Sequence, residues 1–154
     1  MNDLPKDVMR SDSAPIPQST EPETGVWDSP GPGALMAGKR GLVMGVANRN
    51  SIAWGIARAL AQHGAELAFT FQGEALERRV KPLADSLGSD FVLPCDVEDA
   101  GSIGGVFESL SGRWPGLDFV VHAIAYSDKE ELKGRYVDTS RENFLRTLDV
   151  SCYS

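Results

Sequence analysis

Leu42-Val43-Met44-Gly45-Val46-Ala47-Asn48-Arg49-Asn50-Ser51-Ile52-Ala53-Trp54-Gly55-Ile56-Ala57 is the stretch whose reading decides the fold. An apolar run meets a glycine, then a polar loop, then residues with helical spacing. That order reads strand, turn, helix. The run is apolar throughout, as for a strand covered on both faces. Gly45 stands where the chain turns and where an anion can approach the backbone. Ser51 opens the helix, where a hydroxyl caps free N–H groups or meets an anion held by the helix terminus. Ile52 offers its N–H in the same way, with its side chain expected in the core. No G-x-G-x-x-G is present, since Gly45 and Gly55 lie ten positions apart.

Outward from this stretch the pattern alternates. Residues 41–46 read as the first strand and 51–63 as the first helix, with Ile52, Ile56 and Leu60 as an inward stripe. Gly64 stands where a left-handed cap ends a helix. Residues 66–71 form the second strand, and 74–87 the second helix, with Leu76, Val80, Leu83 and Leu87 inward. Pro82 predicts a kink or break there. Residues 90–94 are the third strand. Residues 99–114 are the third helix, capped by Asp99, with Ile103, Val106, Phe107 and Leu110 inward. Residues 117–125 are the fourth strand, 126–138 a charged loop, and 140–154 a fourth helix with Phe144, Leu148 and Cys152 inward. The alternation demands a Rossmann-type, doubly wound parallel α/β sheet with right-handed crossovers and strand order 3-2-1-4, incomplete on its C-terminal side. Ligands of such sheets bind outside the carboxyl ends of the strands where the order reverses, here between strands one and four.

The net charge of -7 over 154 residues disfavours nucleic acid and anionic membrane as partners. Residues 1–36 hold six of the nine prolines, six acids and two bases. Such a segment buries too little to offset its ordering entropy, so a disordered acidic tail is expected, with the dinucleotide-binding domain over 37–154. A partner-binding arm anchored by Trp27, or a true start near Met36, are the alternatives. Cys95 and Cys152 match no metal spacing and read as reduced, buried thiols. With no apolar run long enough for a transmembrane helix and no apolar leader, a cytoplasmic protein is expected.

Gln72 follows the second strand, where an acid often binds the adenosine ribose. Being neutral, with no arginine beside it, it favours NADH over NADPH. Asp96 and Val97 close the third strand, where a carboxylate flanks an adenine; Asp96 as a cap of the next helix is the alternative. Ile124 and Tyr126 stand on the far side of the crevice, Tyr126 beside the nicotinamide. His122, alone in an apolar strand, reads as a hydrogen-bonded core residue. Tyr126 and Lys133 are separated by six residues, but they lie in a charged loop and not on a helix. No metal is expected.

From Gly38 onward the chain resembles the NADH-dependent enoyl-acyl-carrier-protein reductases of bacterial fatty-acid synthesis, a divergent branch of the short-chain dehydrogenase/reductases. The likeness is carried by Gly45-Val46-Ala47, Ser51-Ile52-Ala53-Trp54-Gly55-Ile56-Ala57, Gly64 to Gln72, Cys95-Asp96-Val97, Trp114-Pro115, His122-Ala123-Ile124-Ala125 and Ser151-Cys152-Tyr153-Ser154. It implies a homotetramer that passes hydride from NADH to an enoyl thioester on acyl carrier protein. It implies cofactor contacts at Gly45, Ser51, Ile52, Gln72, Asp96, Val97 and Ile124, with Ser127 near the substrate. The family's catalytic tyrosine and lysine follow a fifth strand, so no catalytic residue and no turnover are expected from residues 1–154. The alternative is a non-catalytic NAD-binding module or sensor. A methyltransferase of like topology is disfavoured, because Gln72 is not an acid.

Overall fold

The computed structural model describes residues 33–154. The tail expected over residues 1–36 lies, up to residue 32, outside the described residues. Residues 34–37 form a turn, and Met36 N–H donates to the His63 carbonyl at 2.9 Å, seating this segment on the end of the first helix.

Four strands, β1 (Arg40–Met44), β2 (Glu66–Phe71), β3 (Val92–Pro94) and β4 (Phe119–His122), form one sheet in the order β3-β2-β1-β4. All pairings are parallel, with Leu42 opposite Ala68 on one side and Val120 on the other. The helices are α1 (Ile52–Gln62), α2 (Gly73–Asp85), α3 (Ala100–Arg113) and α4 (Arg141–Leu148), the last continued by a π-helical turn over Asp149–Tyr153.

Side chains alternate across a strand, so β1 and β2 each feed two cores. Val43, Leu67 and Phe69 pack with Ala53, Trp54, Ala57, Val80 and Leu83 of α1 and α2. Leu42, Met44 and Ala68 pack on the opposite face with Val106 and Leu110 of α3, beside Cys95 and Trp114. Phe91 meets Trp114 edge to face at 5.5 Å, and Arg113 lies 4.7 Å over the Phe91 ring. A chain that steps twice to one side and then back places its first two crossover helices on one face and the third on the other.

Several expectations are corrected. On α1 the inward stripe is Ala53, Trp54 and Ala57, while Ile52 is 79 % exposed and Ile56 also faces solvent. Both stripes have the same helical spacing and differ by one residue; the smaller one lets the helix lie close to the sheet. Pro82 does not break α2. Its missing N–H would have bonded the carbonyl of Arg78, and both residues face solvent, where water serves that carbonyl. Phe107 is exposed on α3. On α4, Phe144 and Leu148 are exposed, as is Cys152 beyond it, and the buried residues are Asn143 and Val150. Cys95 is buried as expected. His122 sits exposed on the edge strand, sharing a 2.9 Å hydrogen bond between its Nε2 and Ser154 Oγ.

Candidate functional site

The carboxyl ends of β1 and β4 open onto a crevice of about 270 Å³. Its walls come from four strand–helix junctions, with Gly45, Gln72, Asp96, Val97, Ile124 and Tyr126 among them. Six of the nine residues proposed from sequence therefore meet in one place. Ser51, Ile52 and Ser127 do not line it.

Gly45 follows β1 with φ +94°, in the left-handed region. A Cβ here would collide with the Ala123 carbonyl. The glycine is thus demanded by the close approach of the chain after β4, whatever binds in the crevice.

Ser51 precedes α1 with extended dihedrals (φ -66°, ψ 141°), yet its side chain makes no cap bond to the helix. Its Oγ instead accepts from Ala47 N–H at 3.0 Å and Asn48 N–H at 2.9 Å, and donates to the Asn48 carbonyl at 2.8 Å. The hydroxyl folds the glycine loop back on itself. This corrects the expected forward cap. The N–H groups of Ile52 and Ala53 then meet no acceptor among the described residues. They are the positive end of the helix dipole, left open beside the loop.

Gln72 precedes α2 with its side chain exposed and making no cap bond. Arg78, one turn along, is engaged by Glu74 at 3.1 Å. Asp96 does not cap α3: Asp99 does, accepting from Gly101 N–H at 2.8 Å. Asp96 donates its own N–H to Ser102 Oγ at 2.9 Å, and its Oδ1 accepts from Glu98 N–H at 3.0 Å. Cys95 beside it is a poor nucleophile, since burial and the neighbouring Asp96 charge push its thiol up.

The loop after β4 is held from α4. Tyr126 N–H donates to Ser151 Oγ at 3.1 Å, and Asp128 N–H to Asn143 Oδ1 at 2.8 Å. Asn143 Nδ2 donates to Ser127 Oγ at 3.1 Å, and Ser127 faces a separate cavity of about 280 Å³ with Leu132, Tyr136 and Phe144. Tyr126 and Lys133 do not form a pair: the Tyr126 hydroxyl accepts from Arg146 and Lys133 bonds Glu130.

Arg146 was not foreseen from sequence. It lines the crevice and grips Glu98 through Nε–Oε1 and Nη2–Oε2 bonds, both 2.9 Å. Its Nη1 donates to the Tyr126 hydroxyl at 2.9 Å, and its guanidinium lies 4.4 Å over that ring. The Arg146 hydrogen bonds hold the Glu98 carboxyl below its ordinary range, and Glu98 raises the guanidinium in return. The face Asn143–Arg146–Val150–Ser151 has helical spacing, but the larger apolar residues beside it masked it.

This sheet, with its glycine turn and open helix terminus at the order reversal, is the Rossmann-type architecture of dinucleotide-binding proteins. The chain belongs to the enoyl-(acyl carrier protein) reductase family, whose model matches residues 45–154. It is 67 % identical over 120 residues to NADH enoyl-acyl-carrier-protein reductase 2 of Rhizobium meliloti, an alignment covering 78 % of this chain and 45 % of that protein. The crystal structure of FabI from Candidatus Liberibacter asiaticus matches with TM-score 0.76 at 56 % identity, over 79 % of this chain and 47 % of that one. The Anaplasma phagocytophilum enoyl-(acyl-carrier-protein) reductase in complex with NAD matches with TM-score 0.75, also at 56 % identity, over 79 % of this chain and 46 % of that one. The chain thus spans about half the length of these relatives. Among the described residues no helix is long and apolar enough to cross a membrane.

Proposed function

We propose that this chain holds the NADH of an enoyl-acyl-carrier-protein reductase. One observation carries the reading: the glycine turn after β1 lines a crevice formed by the strand ends, and the loop it starts leads into a helix terminus with open N–H groups. The residues fit the group. The Ile52 and Ala53 N–H groups would hold the pyrophosphate, because oriented amides favour an anion. Ser51 shapes the loop that leaves them free. Gln72 would meet the adenosine ribose as a neutral partner, favouring NADH over a cofactor with an added phosphate. Asp96 and Val97 would flank the adenine, with the free Oδ2 of Asp96 facing its amino group. Ile124 and Tyr126 would form the wall beside the nicotinamide. When bound, the cofactor supplies hydride to an enoyl thioester carried by acyl carrier protein.

Ser127, turned toward the cavity beside the crevice, would meet the acyl chain there. Tyr126 and Lys133 are engaged by Arg146 and Glu130 and not by each other, so this pair would not stabilise the enolate oxygen or deliver its proton. Binding without turnover is therefore the expected behaviour of these 154 residues. The full reaction, and a tetramer in the cytoplasm, are proposed for proteins of the relatives' length.

Titration calorimetry with NADH, beside an absorbance assay for NADH oxidation with a crotonyl thioester, tests this. Saturable binding with no oxidation is expected. No binding heat from folded protein would overturn the proposal.

A further inference from the structure

We propose that Arg146 is a positioning residue for the adenine end of the crevice, acting on Asp96 through Glu98. This rests on reading the crevice as the NADH site. Arg146 stands on α4 and Glu98 on the loop after β3, 48 positions apart in sequence. Two parallel charge-assisted bonds of 2.9 Å join them. A planar guanidinium makes this fork, and an ammonium does not. The remaining nitrogen donates to Tyr126, so all three nitrogens are engaged. From Glu98 the constraint passes along the backbone: the Glu98 N–H donates to Asp96 Oδ1 at 3.0 Å. Fixing Oδ1 fixes the plane of the Asp96 carboxylate, and so the direction in which Oδ2 faces an adenine amino group.

Arg146 has a second effect. Asp96 and Glu98 place two carboxylates on the crevice wall, and among the described residues Arg146 is the one cation that lines it. Without it, those charges would repel the phosphates of an entering dinucleotide. The Arg146 and Glu98 side chains are 49 % and 38 % exposed, so water and salt screen the pair and its effect is modest.

The test uses the full 154-residue chain and two probes, NADH and adenosine 5′-monophosphate. Arg146→Met should weaken both by about fivefold at low salt, with a smaller difference at high salt. Arg146→Lys should recover only part. The exchange Glu98→Arg with Arg146→Glu should restore more affinity than either single change retains. Should Arg146→Met fail to fold, Glu98→Gln carries the test: it releases the hold on Asp96 and should weaken adenosine 5′-monophosphate at high salt, where the repulsion lost with the carboxylate is already screened. Unchanged affinity in both Arg146→Met and Glu98→Gln would overturn this role while leaving the NADH reading intact. Absence of NADH binding by the unaltered chain would overturn both.

Discussion

The Ser51 hydroxyl has no spare hydrogen-bonding capacity: it accepts twice and donates once, all within its own loop. To touch a phosphate it would have to withdraw its proton from the Asn48 carbonyl. Its larger contribution is to hold the Ala47 and Asn48 amides so that the loop keeps clear of α1. Ser51→Ala should destabilise the fold by about 1–2 kcal/mol and loosen NADH binding, read by urea unfolding and calorimetry together. Gly45→Ala should cost about 3 kcal/mol or more, because left-handed strain adds to a backbone collision with Ala123. A lowered urea midpoint would check it. Gly45 was legible in the sequence, since a glycine ending an apolar strand signals a turn. The direction of the Ser51 bonds was not: a serine before a helix fits a forward cap and a backward clasp equally well.

Helix α1 separates two stripes that hydrophobicity ranks wrongly. The buried stripe is made of small residues and Trp54, and the larger isoleucines stand outside it. Ala57, fully buried, has no room to grow, so Ala57→Leu should destabilise by about 1–3 kcal/mol through overpacking. Ile52→Lys should leave thermal stability within about 0.5 kcal/mol, the opposite of what an inward isoleucine would show. The same confusion occurred on α4, where Phe144 and Leu148 outranked the buried Asn143. By contrast β2 has the expected limits, because its apolar residues lie between clear punctuation at Gly64 and Gly73. The strand and helix order was legible throughout. The inward face was legible on α2 and, apart from Phe107, on α3, but not on α1 or α4, since that depends on how closely the helix approaches the sheet.

Topology followed from alternation alone, because parallel neighbours need crossovers of fixed hand. What joins distant elements did not follow. The Arg146–Glu98 grip, the Asp118 bonds to Lys39 and to Arg40 N–H, and the Arg113–Asp90 pair each span more than twenty residues. Lying at the surface and screened by water, they make only a small contribution to the acid response. Hydrogen bonds from Arg113, Arg146, Lys39 and Ser140 lower the carboxyl groups of Asp90, Glu98, Asp118 and Glu131 respectively. Each is depressed in the folded chain below its ordinary 3.8 or 4.5, so its contribution is whole above that value. Below it the unfolded chain takes up more protons, and stability is lost as pH falls through the folded values. Urea midpoints should therefore fall slightly as pH drops below about 4.5, less steeply in Asp118→Asn. The open amides of Ile52 and Ala53 carry a further consequence, in time rather than energy. In heavy water the amides of β1, paired on both sides, should keep their protons until the whole sheet opens. Those two should trade theirs at once and slow when a dinucleotide arrives, reporting occupancy of the crevice without any label.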